Sequence, residues 1–175
     1  MRNIFVDEEF FSQEEMVLLD EEFKKYNWEL VGSSVPEIPE PTYHWDKTLP
    51  SEIIENLFKS KIQKFLNKQI ETIKIYANGN THGQCGHPHV DVLENAEGEY
   101  YTLVYYYHKN WKPEYGGHLI LMEYGGKIIE NIFPKSNSAV LFDSKMPHCP
   151  LEPTVHCKSM RISIAYKFRV LGDLL

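Results

Sequence analysis

The feature that most constrains this chain is a change of hydrophobic period near residue 70. Before it, apolar residues recur at helical spacing. Ser12-Gln13-Glu14-Glu15 has the spacing of a capping box and precedes Met16, Leu19 and Phe23, which predicts a helix to about Tyr26. A second helix is predicted from near Ser51, with Ile54, Leu57, Ile62, Phe65 and Leu66 on one broad face. After residue 70 the period falls to two. Strands are expected at Thr72–Tyr76, Pro88–Leu93, Tyr100–His108, His118–Glu123, Lys127–Ile132, Ala139–Phe142 and Met160–Phe168. Turn signals separate them, among them Asn78-Gly79-Asn80, Gly125-Gly126 and Pro134-Lys135-Ser136-Asn137. Ile4–Val6 and Trp28–Val31 read as shorter strands, and the three prolines within 35–41 exclude regular structure there. Two helices followed by some seven short strands predict a mainly β fold, a sandwich or jelly-roll barrel backed by helices.

Length and charge narrow the classes further. The 175 residues suit a single domain, 1–175, with 1–69 supplying supporting helices and strands and 70–168 the jelly-roll core. The net charge is -7 and no dense Lys/Arg run occurs, so a nucleic-acid partner is not expected. No stretch approaches the ~18 consecutive apolar residues of a membrane span. Acidic residues follow the N-terminus where a signal peptide has its apolar stretch, so a cytoplasmic location is expected. Cys85, Cys149 and Cys157 then read as reduced thiols.

Eight histidines require sorting by spacing. His89-Val90-Asp91 places an imidazole and a carboxylate two residues apart on an expected strand, where both project to one side. A third ligand has to come from far along the chain. His148 is the candidate, in the turn Ser144-Lys145-Met146-Pro147-His148 after the apolar strand Ala139–Phe142. Two histidines and one carboxylate on one face of an octahedral ion are the donor set of non-haem iron(II) oxygenases. The last expected strand sorts by face: Ile162, Ile164, Tyr166 and Phe168 point one way, Arg161, Ser163, Ala165 and Lys167 the other. An arginine beside small Ser and Ala suits the floor of a polar cavity, where its fork matches a carboxylate. An internal ion pair with one of the chain's acids is the other reading.

From about Ile73 to Phe168 the chain resembles the prolyl 4-hydroxylase-like 2-oxoglutarate/Fe(II)-dependent dioxygenases, and within them the oxygen-sensing prolyl hydroxylases. The resemblance rests on Tyr76-Ala77-Asn78-Gly79-Asn80, His89-Val90-Asp91, Tyr105-Tyr106-Tyr107-His108-Lys109-Asn110-Trp111, Gly116-Gly117-His118-Leu119, Met146-Pro147-His148 and Arg161-Ile162-Ser163, in that order. It implies a double-stranded β-helix (jelly-roll, cupin-like) core packed by N-terminal α-helices. It implies His89, Asp91 and His148 as Fe(II) ligands and catalytic centre. Arg161 and Tyr106 would bind the distal carboxylate of 2-oxoglutarate, with Tyr76, Leu119 and Ser163 in the co-substrate pocket. The reaction implied consumes O2 and 2-oxoglutarate, with ascorbate as accompanying reductant. It releases succinate and CO2 and hydroxylates an unactivated C–H bond, foremost that of a prolyl residue in a peptide or protein.

Two departures stand out. Lys167 stands where the oxygen-sensing enzymes have a tryptophan near the cavity, which would change co-substrate affinity. Glu97-Gly98-Glu99 lacks the basic residue that some members place near a peptide substrate, which puts the target more than the chemistry in question. The same chemistry on a free amino acid, small metabolite or nucleobase stays open, as does a non-catalytic metal-binding jelly roll. Cys85, His87 and His89 could also be read as zinc ligands, although their spacing matches no familiar structural-zinc pattern. The pair Gly116-Gly117 reads simply as a turn, and Cys157 as solvent-side.

Overall fold

A computed structural model describes residues 4–32 and 43–174; the proline-rich loop expected at 35–41 lies outside the described residues. Strand β1 (Phe5–Asp7) leads into helix α1 (Gln13–Phe23), whose start is the predicted capping box. Ser12 accepts from the Glu15 amide while the Glu15 carboxylate accepts from the Ser12 amide, so two of the orphan donors of the first turn are satisfied reciprocally. Strands β2 (Glu29–Val31) and β3 (His44–Thr48) precede helix α2 (Glu52–Leu66). Ser51 caps α2 at its start, and Asn67 ends it in the left-handed conformation at φ 53°.

The remaining strands are β4 (Lys68–Asn80), β5 (Tyr100–Tyr106), β6 (Leu119–Met122), β7 (Ile128–Ile132), β8 (Ala139–Asp143), β9 (His148–Pro150) and β10 (Arg161–Asp173). They form a seven-stranded sheet in the order β1-β8-β5-β10-β4-β3-β2 and a three-stranded sheet in the order β7-β6-β9. All the strand pairs are antiparallel. This is the double-stranded β-helix expected from the sequence, with both helices packed on the outer face of the larger sheet.

Strand β5 shows how the layers are built. Leu103 and Tyr105 point toward the helices and join Leu19, Phe23, Ile54, Phe58, Ile62, Ile164, Tyr166 and Phe168 in the main core. Val104 and Tyr106 point the other way, between the sheets, with Leu119, Leu121, Val140, Phe142 and Met146. A strand buried on both faces reads as a continuous apolar run, and Leu103–Tyr107 is one. Phe58 is the pivot of the helix-to-sheet layer. It is fully buried and its ring meets those of Phe10, Phe11, Tyr105 and Tyr166.

Three elements differ from expectation. The segment Pro88–Leu93 is not a strand: only His89 bridges, and it does so to His148. Pro88 has no amide to donate, and the Asp91 and Val92 amides both donate to Ser144 O, which curls the chain off any ladder. His148, expected at the end of the turn Ser144–His148, instead opens strand β9, which pairs with β6. Strand β3 was not anticipated, because His-Trp-Asp-Lys-Thr carries no apolar alternation; its pairing with β4 makes it a strand. Strands β4 and β10 also run farther than their apolar patterns, to 13 residues each.

Truncating Phe58 to alanine removes the aromatic pivot and leaves a cavity between helix and sheet. Urea denaturation is expected to show a loss of about 3–5 kcal/mol, with the slope of the transition unchanged.

Candidate metal centre

The histidine pair is built by the backbone. The His89 amide donates to His148 O and the His148 amide donates to His89 O, both at 2.9 Å, so two residues 59 positions apart are locked side by side. Their rings lie 4.2 Å apart. Each ring then uses its Nδ1 on a carbonyl two residues upstream: His89 on His87 O at 2.8 Å, His148 on Met146 O at 3.0 Å. That fixes the tautomer with Nδ1 protonated and presents both Nε2 lone pairs to a common point. Burial, and then the neighbouring His89, push the His148 pKa down to about 4, which keeps that imidazole neutral at pH 7.

Asp91 closes the set. Its Oδ1 is 3.7 Å from His89 Nε2 and its Oδ2 is 3.8 Å from His148 Nε2. One donor atom from each of the three residues lies within 4.8 Å of the other two, and among the described residues no other His/Cys/Asp/Glu trio does this. The carboxylate is nearly inaccessible. Burial alone would raise its pKa, but His148, Lys167 and Thr102 outweigh that and hold it below the ordinary value. Thr102 Oγ1 donates to Oδ2 at 2.6 Å and is itself 2.8 Å from Ser144 Oγ. The alternative zinc set does not assemble. Cys85 turns instead toward Cys149, and both thiols share Gly86 O as acceptor, at 3.4 and 3.1 Å.

A cavity of about 510 Å³ opens beside the triad, lined among others by His89, Asp91, Tyr76, Arg161, Ser163 and Lys167. Strand β10 delivers the face expected of it, since Ile164, Tyr166 and Phe168 lie in the core on the opposite side. Arg161 is buried, at 1% exposure. Its Nε donates to Gly117 O at 2.6 Å and its Nη1 to Ser163 Oγ at 3.3 Å, and its guanidinium lies 5.3 Å from the centre of the Tyr106 ring. No carboxylate among the described residues pairs with it, so the internal ion pair considered from sequence is absent. The Tyr106 hydroxyl is also buried and, among the described residues, has no hydrogen-bond partner. Burial raises its pKa to about 12, partly offset by Arg161. A cation without a counter-ion and a hydroxyl without a partner, side by side in the interior, are groups that a bound carboxylate would satisfy.

Leu119, expected in the pocket, is instead buried with Tyr106 in the cluster between the sheets and does not line the cavity. Gly117 has more than a turn's role. Its φ is +72°, and a Cβ there would lie 2.9 Å from Arg161 Cδ, so only glycine lets its carbonyl take the guanidinium. Cys157, expected at the surface, is buried, with its thiol on Ser159 O. Thr102 carried no signal beyond its place in an apolar strand. Lys167 was visible only as a departure, yet its Nζ is 2.7 Å from Asp91 Oδ1.

Residues 73–169 match the family described as the 2OG-Fe(II) oxygenase superfamily. No sequence among curated proteins matches. Several solved structures share the fold. An oxidoreductase of the 2OG-Fe(II) oxygenase family from Burkholderia pseudomallei is 13% identical at a TM-score of 0.76, over 97% of this chain and 86% of that one. A Trichoplax adhaerens prolyl hydroxylase, in complex with a hypoxia inducible factor oxygen degradation domain peptide fragment, is 18% identical at 0.68, over 97% and 83%. HygX from Streptomyces hygroscopicus, with nickel, 2-oxoglutarate and hygromycin B bound, is 13% identical at 0.66, over 99% and 84%. With more than half of its length matching the family, and with the fold of that family around a His-Asp-His cluster, the chain belongs to the 2OG-Fe(II) oxygenase superfamily.

Proposed function

We propose that the protein is a 2-oxoglutarate- and Fe(II)-dependent dioxygenase that hydroxylates an unactivated C–H bond, that of a prolyl residue in a peptide or protein. The observation that carries this reading is a cavity lined by His89, Asp91 and a buried guanidinium that has no acid of its own among the described residues, with His148 completing the donor trio beside it. The donor chemistry fits the metal: two neutral imidazoles and one carboxylate suit Fe(II) and leave coordination positions for other ligands. His89, Asp91 and His148 would hold the ion, and Arg161 with Tyr106 would hold the distal carboxylate of 2-oxoglutarate. When bound, iron and 2-oxoglutarate would activate O2, the oxidant, so that one oxygen atom ends in succinate, released with CO2, and the other in the hydroxylated substrate.

The chain's own residues do the positioning. The Nδ1 bonds to His87 O and Met146 O aim the imidazoles, and Thr102 with Ser144 holds the carboxylate against rotation. Gly117 O and Ser163 Oγ orient the Arg161 fork so that its remaining N–H groups meet a ligand. Tyr76 and Ser163 form part of the cavity wall around it. Tyr106, neutral at pH 7, would donate its hydroxyl proton to the same carboxylate as Arg161.

The prolyl target is supported by the motif order from Tyr76 to Arg161 and by likeness in fold to a prolyl hydroxylase that binds a peptide. Likeness to a structure holding hygromycin B supports the second reading, the same chemistry on a small metabolite. No helix among the described residues is long and apolar enough to cross a membrane.

Anaerobic titration of the protein with Fe(II) and then 2-oxoglutarate is expected to give a weak visible charge-transfer band; its absence would remove the oxygenase reading. Aerobic incubation with ascorbate and a proline-rich peptide panel should give a +16 Da product. Succinate released only with metabolites would replace the prolyl target with the second reading. Replacing His148 or Asp91 by alanine is expected to abolish turnover and the band. Arg161→Ala should weaken 2-oxoglutarate by about 1.5–3 kcal/mol, the value of charge-assisted hydrogen bonds, while sparing Fe(II) affinity. Gly117→Ala should move in the same direction, because the added Cβ displaces the guanidinium without touching the triad.

A further inference from the structure

Strands β4 and β10 place two lysines directly opposite one another. Lys167 pairs in register with Lys74, and both line the cavity. Like charges at opposed positions of an antiparallel pair are unfavourable, and this pair lies at the cavity wall of an acidic protein. Between them stands Tyr76, whose ring centre is 4.3 Å from Lys74 Nζ and 5.2 Å from Lys167 Nζ. The ring offsets part of the repulsion through its negative face. Lys74 is exposed and has no ion pair among the described residues. Lys167 is four-fifths buried, and its one acidic partner among the described residues is Asp91.

Charge over the whole cavity sharpens the point. Among the described residues its ionised lining groups are Lys74, Arg161 and Lys167 against Asp46 and Asp91, an excess of positive charge. A divalent metal ion and a dianionic co-substrate cancel, so the excess survives loading. A metal held by Asp91 would also draw on that carboxylate and weaken its hold on Lys167. Arg161 serves one carboxylate from the buried end of β10. The lysine pair stands six residues along the same face, about 20 Å of extended strand away.

We propose that Lys74 and Lys167, with Tyr76 between them, form a carboxylate-recognition subsite that selects a substrate bearing an acidic group close to the carbon that is oxidised. The proposal rests on the oxygenase reading above and specifies its substrate class: an acidic peptide segment or a free amino or organic acid, rather than a neutral or basic one. The absence of a basic residue in Glu97-Gly98-Glu99 fits this division, since the cations that would meet the substrate stand on the strands instead.

The test uses protein loaded with Mn(II) and 2-oxoglutarate, so that binding is read by calorimetry without turnover. The probes are matched pairs differing by one carboxylate: L-proline with L-prolinamide, and N-acetyl-prolyl-aspartate amide with N-acetyl-prolyl-asparagine amide. In at least one pair the acid is expected to bind about tenfold or more tightly, the scale of one charge-assisted hydrogen bond. Lys74→Met should erode that preference with 2-oxoglutarate affinity kept, and adding Lys167→Met should abolish it. Because Lys74 is exposed and touches no ligand of the metal, Lys74→Met keeps the test readable even if Lys167→Met disturbs Asp91. Equal binding within every pair, no binding by any probe, or a preference that survives the double substitution overturns the proposal. So does a loss of 2-oxoglutarate affinity matching the loss of probe affinity, which would assign the lysines to the co-substrate. A protein that forms the Fe(II)–2-oxoglutarate band yet ignores the carboxylates leaves the oxygenase reading standing and removes only this subsite.

Discussion

The antiparallel ladder between Lys68–Asn80 and Arg161–Asp173 sets the register on which the rest of the molecule depends. Along β10 the side chains alternate between two incompatible environments. Ile164, Tyr166 and Phe168 enter the core under the helices, and Arg161, Ser163 and Lys167 enter the cavity. A slip of one residue would send the arginine into the apolar core and the phenylalanine into the polar cavity, each at a cost of several kcal/mol. The same alternation on β4 buries Ala77 and brings Tyr76 and Asn78 to the cavity. The hydrophobic effect therefore fixes the polar site indirectly, by leaving only one register in which the apolar face is buried.

The two helices contribute to this from behind. Their caps, at Ser12 and Ser51, are local devices, but the faces they bury meet the outer side of β5 and β10, the strands that hold Tyr106 and Arg161 on their inner side. Tyr105 and Tyr106 illustrate the division. One packs against Phe10, Phe11 and Phe58; the next lies under the guanidinium with its hydroxyl unpaired. Two adjacent tyrosines thus have unrelated work, separated only by the alternation of the strand.

Much of this was legible in the sequence, and the illegible parts share a cause. Helix starts were readable because capping is local, and the faces of Arg161–Phe168 were readable because period two is a strong pattern. The trio His89, Asp91 and His148 was identified by spacing and by the order of motifs around it. What escaped were features made by distant backbone. His89 and Asp91 were expected on a strand, yet a bridge to His148 and two amides on Ser144 O position them instead. Strand β3 exists because β4 offers it an edge, not because His-Trp-Asp-Lys-Thr alternates. Gly117 looked like punctuation, since nothing in a Gly-Gly pair announces that an arginine 44 residues later packs against its Cα. Lys167 showed itself only as an unusual residue at its position, and its meaning needed the coordinates of Asp91.

The reciprocal amide–carbonyl bonds between residues 89 and 148 have a mechanical side. Because each imidazole is tied to backbone that is tied to the other, a displacement of β9 would carry both rings together. Such a displacement would preserve the spacing of the nitrogen donors, while the distance from them to the guanidinium on β10 has no equivalent backbone tie.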